Sequence, residues 1–186
     1  MSFTFRCVDS VQDAPLLHSW VTQPYASFWG MLSATVEDVV EEYSKIQASG
    51  HHHALLGLDD GVPAFLTEEY VPEFSPLAAV YAVQPGDRGM HLLVAPPAGG
   101  PRSGYTLDVM RAVVARLFEN PETERVVVEP DARNHKIHVL NERVGFQPSA
   151  VVTLPAVDPS ETHKNALLSF CTREDFLDTL TVGETR

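Results

Sequence analysis

Long apolar runs are missing from this chain. Nothing in it approaches the ~18 uninterrupted apolar residues that a membrane-spanning helix needs, although apolar types make up 44% of its 186 residues. The opening MSFTFRCVDS has neither the basic lead nor the apolar core of a signal peptide, so a cytoplasmic protein is expected. Cysteine is scarce as well. Cys7 and Cys171 have no metal-type spacing, which predicts neither a disulfide nor a zinc site and suits a reducing compartment. Positive charge is short, with 13 Lys and Arg against 25 Asp and Glu, a formal charge of −12. That balance opposes binding to a phosphate backbone or an anionic membrane surface and, beyond solubility, favours a small cationic partner. Repeats and low-complexity segments are absent, and the length suits one domain with a real core, over 1–177, followed by a polar tail, DTLTVGETR (178–186), expected to fray.

The periodicities are mixed. FTFRCV alternates as an edge or half-buried strand. DAPLLHSWVTQP and TVEDVVEEYSKIQ carry apolar residues at helical spacing, the second with early acidic residues that suit the helix dipole. HALLGLDDGVPAFLTEEY holds two apolar runs around Asp59-Asp60-Gly61 and predicts a hairpin. RGMHLLVAPP predicts a strand stopped by Pro96 and Pro97, YTLDVMRAVVARLFENP a largely buried helix, and RVVVEPDARN a short strand. NHKIHVLNERVGF predicts a helix with Asn134 at its N-cap, Ile137, Leu140 and Val144 inward, and Gly145 at its C-terminal cap; SAVVTLP and NALLSFCT are closing strands. A strand–helix–strand–helix order within one sheet requires a parallel pair at its centre, so the expected fold is mixed α/β.

Several segments carry chemistry. The stretch from Gly99 to Gly104 lies between a strand and a helix start, where free backbone N–H groups can hold phosphate, or where the glycines simply make a turn. His91 interrupts an apolar strand. Pleating puts it with Leu93 on the face opposite Met90, Leu92 and Val94; it is either a group exposed to a cleft or a core histidine satisfied by a carbonyl. Asp131 follows Pro130 at a strand end and can enter the same cleft, or cap the next helix. His51, His52 and His53 alternate faces if they lie on a strand, so no metal site is expected of them.

The second half, with its glycine loop and NHKIHVLNERVGF, resembles the GCN5-related N-acetyltransferase superfamily. The closer resemblance is to the branch that acylates hydroxylamines in siderophore assembly, especially the desferrioxamine-type acyltransferases. LLHSWVTQPYASFWGM, PAFLTEEY, PGDRGMHLLVAP, VVVEPDARN, NERVGF and ALLSFCTREDF carry it, from about Phe3 to Phe176. The resemblance implies a mostly antiparallel sheet whose central parallel pair splays, flanked by helices. It also implies transfer of an acyl group from acetyl-CoA or succinyl-CoA to an N-hydroxylated diamine, foremost N-hydroxycadaverine, giving a hydroxamate. His91 and Asp131 are then the catalytic pair. Leu92, Leu93 and Val94 of the strand, Arg102, Ser103, Gly104 and Tyr105 of the loop and helix start, and Asn134 and Asn141 of the late helix are the coenzyme A side. Arg102 stands two residues before Gly104, and Thr106 fills a position the superfamily keeps small. Asn141 replaces the tyrosine that many members use to protonate the leaving thiolate; its amide can hydrogen-bond a thiolate but cannot give up a proton. Trp29, Glu68 and Tyr70 are implied to face the substrate, Glu68 opposite a distal ammonium. The alternatives are core for the aromatics and a solvated strand end for Glu68. As whole-chain alternatives, the same chemistry on hydroxylysine or an aminoglycoside, or a non-catalytic coenzyme A-binding module, also fit these residues.

Overall fold

The computed structural model describes residues 2–96, 99–155 and 163–182. Its strands are β1 (Phe3–Cys7), β2 (His52–Asp59), β3 (Val62–Tyr70), β4 (Asp87–Val94), β5 (Arg125–Val128), β6 (Gln147–Leu154) and β7 (Lys164–Thr172). Its α-helices are α1 (Ala14–Val21), α2 (Val36–Ser49), α3 (Tyr105–Glu119), α4 (His135–Val144) and α5 (Arg173–Val182). The strands are hydrogen-bonded in the order β1-β2-β3-β4-β5-β7-β6. The mixed sheet expected from the sequence is therefore present, with β4 and β5 as its parallel pair, in register at Asp87–Arg125, Arg88–Val126 and Gly89–Val127.

The chain divides into two compact units. The first comprises residues 1–69 and 91–109. Its hairpin turns at Asp60 and Gly61, both at positive φ (51° and 80°), the backbone that two-residue turns between twisted strands demand. Helix α2 starts with a capping box: the Asp38 N–H donates to the Thr35 hydroxyl, and the Asp38 carboxylate accepts from the Thr35 N–H at 2.8 Å. Leu17, Val21 and Val39 are wholly buried against Leu56 and Leu66 of the sheet, and Leu93 joins them from β4. At ~1.5–3 kcal/mol for each such side chain, this apolar face holds α1 and α2 onto the strands.

The second unit comprises residues 70–90 and 110–186. Its core joins Leu77 to Val127, Leu154, Ala166 and Leu168, with Tyr70 among them. Gly145 ends α4 at φ 105°, as expected of a C-terminal cap glycine. Asn134 occupies the N-cap position without a side-chain cap hydrogen bond. Ile137 and Leu140 are half-buried, while Asn141 and Val144 are the buried residues of this helix.

Helix α5 continues to Val182, so residues 178–182 of the expected polar tail are helical. Two contacts explain it. Thr172 and Asp175 form a reciprocal cap, the Asp175 N–H to the Thr172 hydroxyl at 3.1 Å and the Thr172 N–H to the Asp175 carboxylate at 3.0 Å. Phe176 is buried beside Phe118 and anchors the helix. Residues 183–186 of that expected tail lie outside the described residues.

Candidate active site

One face of β2, β3 and β4 carries both the core and the chemistry of the first unit. Ala54 and Leu56 on β2, Leu66 on β3, and Leu93 with the following Ala95 pack against the helices. Side chains on a strand repeat every second residue, so His52, Glu68 and His91 continue these rows by one step each. The three polar groups meet at one oxygen. His91 Nδ1 lies 2.9 Å from Glu68 Oε2, and His52 Nε2 lies 3.3 Å from the same atom. The Glu68 side chain is only 9% exposed, whereas that of His91 is 38% exposed.

Burial alone would push the Glu68 carboxyl up, but the hydrogen bonds and charge of His52 and His91 outweigh it and bring it down to about 2. Glu68 is therefore an ionised, acceptor-only group, and the ring nitrogen facing it must carry hydrogen. Nδ1–H of His91 donates, which leaves the lone pair of the neutral imidazole on Nε2. The Trp29 indole meets the His91 ring edge-on, centroids 6.2 Å apart. Tyr43 reaches the cluster from α2; burial first, and then the Glu68 charge, push its hydroxyl up. The Thr67 hydroxyl donates to the His91 carbonyl at 2.9 Å and ties β3 to β4 beside the pair.

His91 is thus neither buried nor satisfied by a carbonyl; it is held by a carboxylate and half open. Trp29 stands beside it. Glu68 is neither a solvated strand end nor a group open to a distal ammonium, because it is buried and already accepts from imidazole. Tyr70 does not face an open side: it is 5% exposed, its hydroxyl donates to Glu129 at 2.8 Å, and its ring fills the space beside Gly89. Trp20 belongs to the core.

Asp131 is assigned differently too. Arg133 grips its carboxylate through two side-chain contacts of 2.9 and 2.7 Å and a backbone N–H, holding it down at about 2. A carboxylate that acidic is a weak proton acceptor, so its shared role as base with His91 does not fit this environment. Its cross-strand bridge to Ala166 instead fixes the corner between β5 and α4.

Among the coenzyme A candidates, Gly100 and Gly104 both have positive φ, so the loop turns sharply before α3. Ser103 and Gly104 are exposed, while the Tyr105 side chain is buried against Phe3. Arg102 is paired with Asp59 and lies 4.2 Å over the Tyr105 ring. Leu93 is buried in the core, whereas Leu92 and Val94 are half-buried. Asn141 is 4% exposed, and its Nδ2 finds no hydrogen-bond partner. Asn141 therefore does not lie on the open surface of α4. Among the described residues no three His, Cys, Asp or Glu side chains are grouped to hold a metal ion, and no helix is long and apolar enough to cross a membrane.

Comparison with known proteins defines the class. The acetyltransferase (GNAT) domain family matches residues 9–154, and the chain belongs to that family. It is an acyl-CoA-dependent N-acyltransferase, with acyl-CoA as co-substrate. The chain is similar to the N-hydroxyputrescine acetyltransferase of Acinetobacter baumannii, at 26% identity over 94% of this chain and 80% of that protein. It is also similar to the N(6)-hydroxylysine O-acetyltransferase of Escherichia coli, at 29% identity over 77% of this chain and 46% of that protein. Among solved structures, an aminoglycoside acetyltransferase in complex with coenzyme A superposes with a TM-score of 0.80 and 25% identity, covering 96% of this chain and 99% of that one.

Proposed function

We propose that this protein transfers an acyl group from acetyl-CoA or succinyl-CoA to an N-hydroxylated diamine, foremost N-hydroxycadaverine, forming a hydroxamate for a desferrioxamine-type siderophore. The observation that carries the reading is the His91–Glu68 pair, an imidazole whose Nε2 is kept as acceptor by a buried carboxylate on a half-exposed ring. The similarity to an enzyme named for N-hydroxyputrescine, a diamine one methylene shorter, supports the substrate class.

In the proposed step the hydroxylamine nitrogen attacks the thioester carbonyl carbon. A C–N bond forms, and the nitrogen's proton passes to Nε2 of His91. The tetrahedral oxyanion then collapses, the C–S bond breaks, and the sulfur leaves as thiolate. A hydroxylamine nitrogen is largely unprotonated at neutral pH, so the base serves the proton released on attack rather than a prior deprotonation. Glu68 stabilises the imidazolium that results. Ala95 N–H donates to Ala64 on β3, and by strand alternation the N–H groups of Leu92 and Val94 face the other way, where they serve as oxyanion and pantetheine donors. On α4, the Asn141 Nδ2 has no hydrogen-bond partner, and Asn141 and Asn134 are the coenzyme A ligands that this helix offers. Ser103 and Gly104 offer backbone N–H groups to the pyrophosphate at the start of α3.

An aminoglycoside is the second reading, favoured by the chain's −12 charge and by its likeness to an aminoglycoside acetyltransferase. Thiol release separates the two. The proposal expects rapid release with N-hydroxycadaverine, slower release with N-hydroxyputrescine, and little with cadaverine or kanamycin. Release with kanamycin and none with either hydroxylamine would transfer the reading to the aminoglycoside; binding of acetyl-CoA without turnover of any amine would leave a coenzyme A-binding module.

A further inference from the structure

Beyond the pair that the proposed step uses, a second imidazole reaches the same carboxylate. His52 lies on β2, the strand on the far side of β3 from His91, and its Nε2 comes within 3.3 Å of the oxygen that His91 Nδ1 contacts at 2.9 Å. Its side chain is 24% exposed, less than that of His91. The ionised carboxylate accepts only, so the nitrogen that His52 presents carries hydrogen, whether the ring is neutral or charged. One oxygen thus accepts the His91 hydrogen bond and lies at ion-pair distance from His52, so the carboxylate's field is divided between the two rings.

We propose that His52 is a positioning residue: by sharing Glu68 with His91, it limits how strongly that carboxylate holds the imidazole that receives the reaction's proton, and so keeps His91 a usable base near neutral pH. The inference rests on reading His91 as the proton acceptor. A neutral His52 turns a polar ring edge toward the carboxylate and offsets part of its field at His91, and a protonated one adds a like charge near the His91 imidazolium. Both effects destabilise protonated His91, so the sign is the same in either state. Tyr43 from α2 presents a hydroxyl kept protonated by burial and by the Glu68 charge, with Glu42 acting on it more weakly. Trp29 presents an uncharged ring edge to His91.

The test replaces His52 by Phe, which keeps ring volume but offers no N–H, and by Gln, which offers an N–H but no charge. The acidic limb of kcat/KM for thiol release should move to higher pH by about 0.5–1 unit in His52→Phe, the worth of one polar contact to a buried charge, and return most of the way in His52→Gln. KM for acetyl-CoA should not change. The same shift should appear in the His91 ring titration followed by NMR of imidazole-labelled protein without substrate. That readout stands even if N-hydroxycadaverine proves not to be the substrate, so failure of the substrate reading and failure of this one are separable. If His52→Phe does not fold, His52→Leu, which likewise offers no N–H, carries the same comparison. A His91 midpoint unchanged in the His52 variants, while Glu68→Gln moves it, would overturn the proposal and leave His52 as packing.

Discussion

Replacing Glu68 by Gln probes the pair with almost no change in shape. The carboxylate accepts from His91 at 2.9 Å within a side chain only 9% exposed. Hydrogen bonds to charged groups in such settings contribute about 1.5–3 kcal/mol. Much of that is felt only when the ring is protonated, so the imidazolium formed in the transition state loses ~1.5–3 kcal/mol, or ~10–100-fold in kcat/KM. A second loss adds to it, because a Gln amide can turn its NH2 toward Nδ1 and favour the other tautomer, which has no lone pair on Nε2. The expected total is therefore ~100-fold or more, with the acidic limb of the profile moved to lower pH. The assay is thiol release under single-substrate saturation from pH 5 to 9, with ring nitrogen shifts read by NMR to identify the tautomer. A Glu68→Gln enzyme with wild-type kcat/KM, an unmoved profile and an unchanged tautomer would refute the reasoning.

The same carboxyl predicts a pH dependence of stability. Its folded value of about 2 lies below the ordinary 4.5, so the stabilisation is complete above about pH 5 and lost as pH falls toward 2. Its size is on the order of 3 kcal/mol, and Glu68→Gln should flatten the fall in urea midpoint between pH 5 and 3. Asn141→Leu removes a buried amide with an unpartnered Nδ2; it should leave Tm unchanged or raised while weakening coenzyme A binding by about 10-fold, the loss of one hydrogen bond. A fall in both would make the amide structural instead. Gly145→Ala requires a side chain at φ 105°, with a Cβ 2.7 Å from the Asp175 carbonyl oxygen; thermal unfolding should show a loss of about 2–3 kcal/mol. Trp29→Ala exposes the His91 ring and should raise KM for the hydroxylamine more than it lowers kcat.

What could be read in the sequence depended on how local each signal was. Alternation and helical spacing located the hairpin, the parallel strand bearing His91 and the helix ending at Gly145, because each is decided within about a dozen neighbouring residues. The TRED cap of α5 is equally local, but the polar DTLTVGETR drew attention away from it, and the anchoring by Phe176 is tertiary. The partner of His91 was not local. Glu68 and His91 are 23 residues apart and meet through strand register, which alternation alone does not supply. His52 was set aside as one of three adjacent histidines unable to share a metal. The same alternation places His52 on the face of Glu68. Asp131 and Tyr70 each found a buried or charged neighbour within the fold, Arg133 and Glu129, that no spacing rule pairs with them.

The central claim is that His91, held by Glu68, takes the proton released when an N-hydroxylated diamine attacks an acyl thioester. Its most direct test is coenzyme A release from acetyl-CoA with N-hydroxycadaverine by wild type and His91→Ala at equal concentration across pH 5–9. The account predicts turnover by the wild type with an acidic limb, and a variant slowed by ~100-fold or more whose residual rate lacks that limb. A His91→Ala enzyme that keeps both the rate and the limb would contradict it.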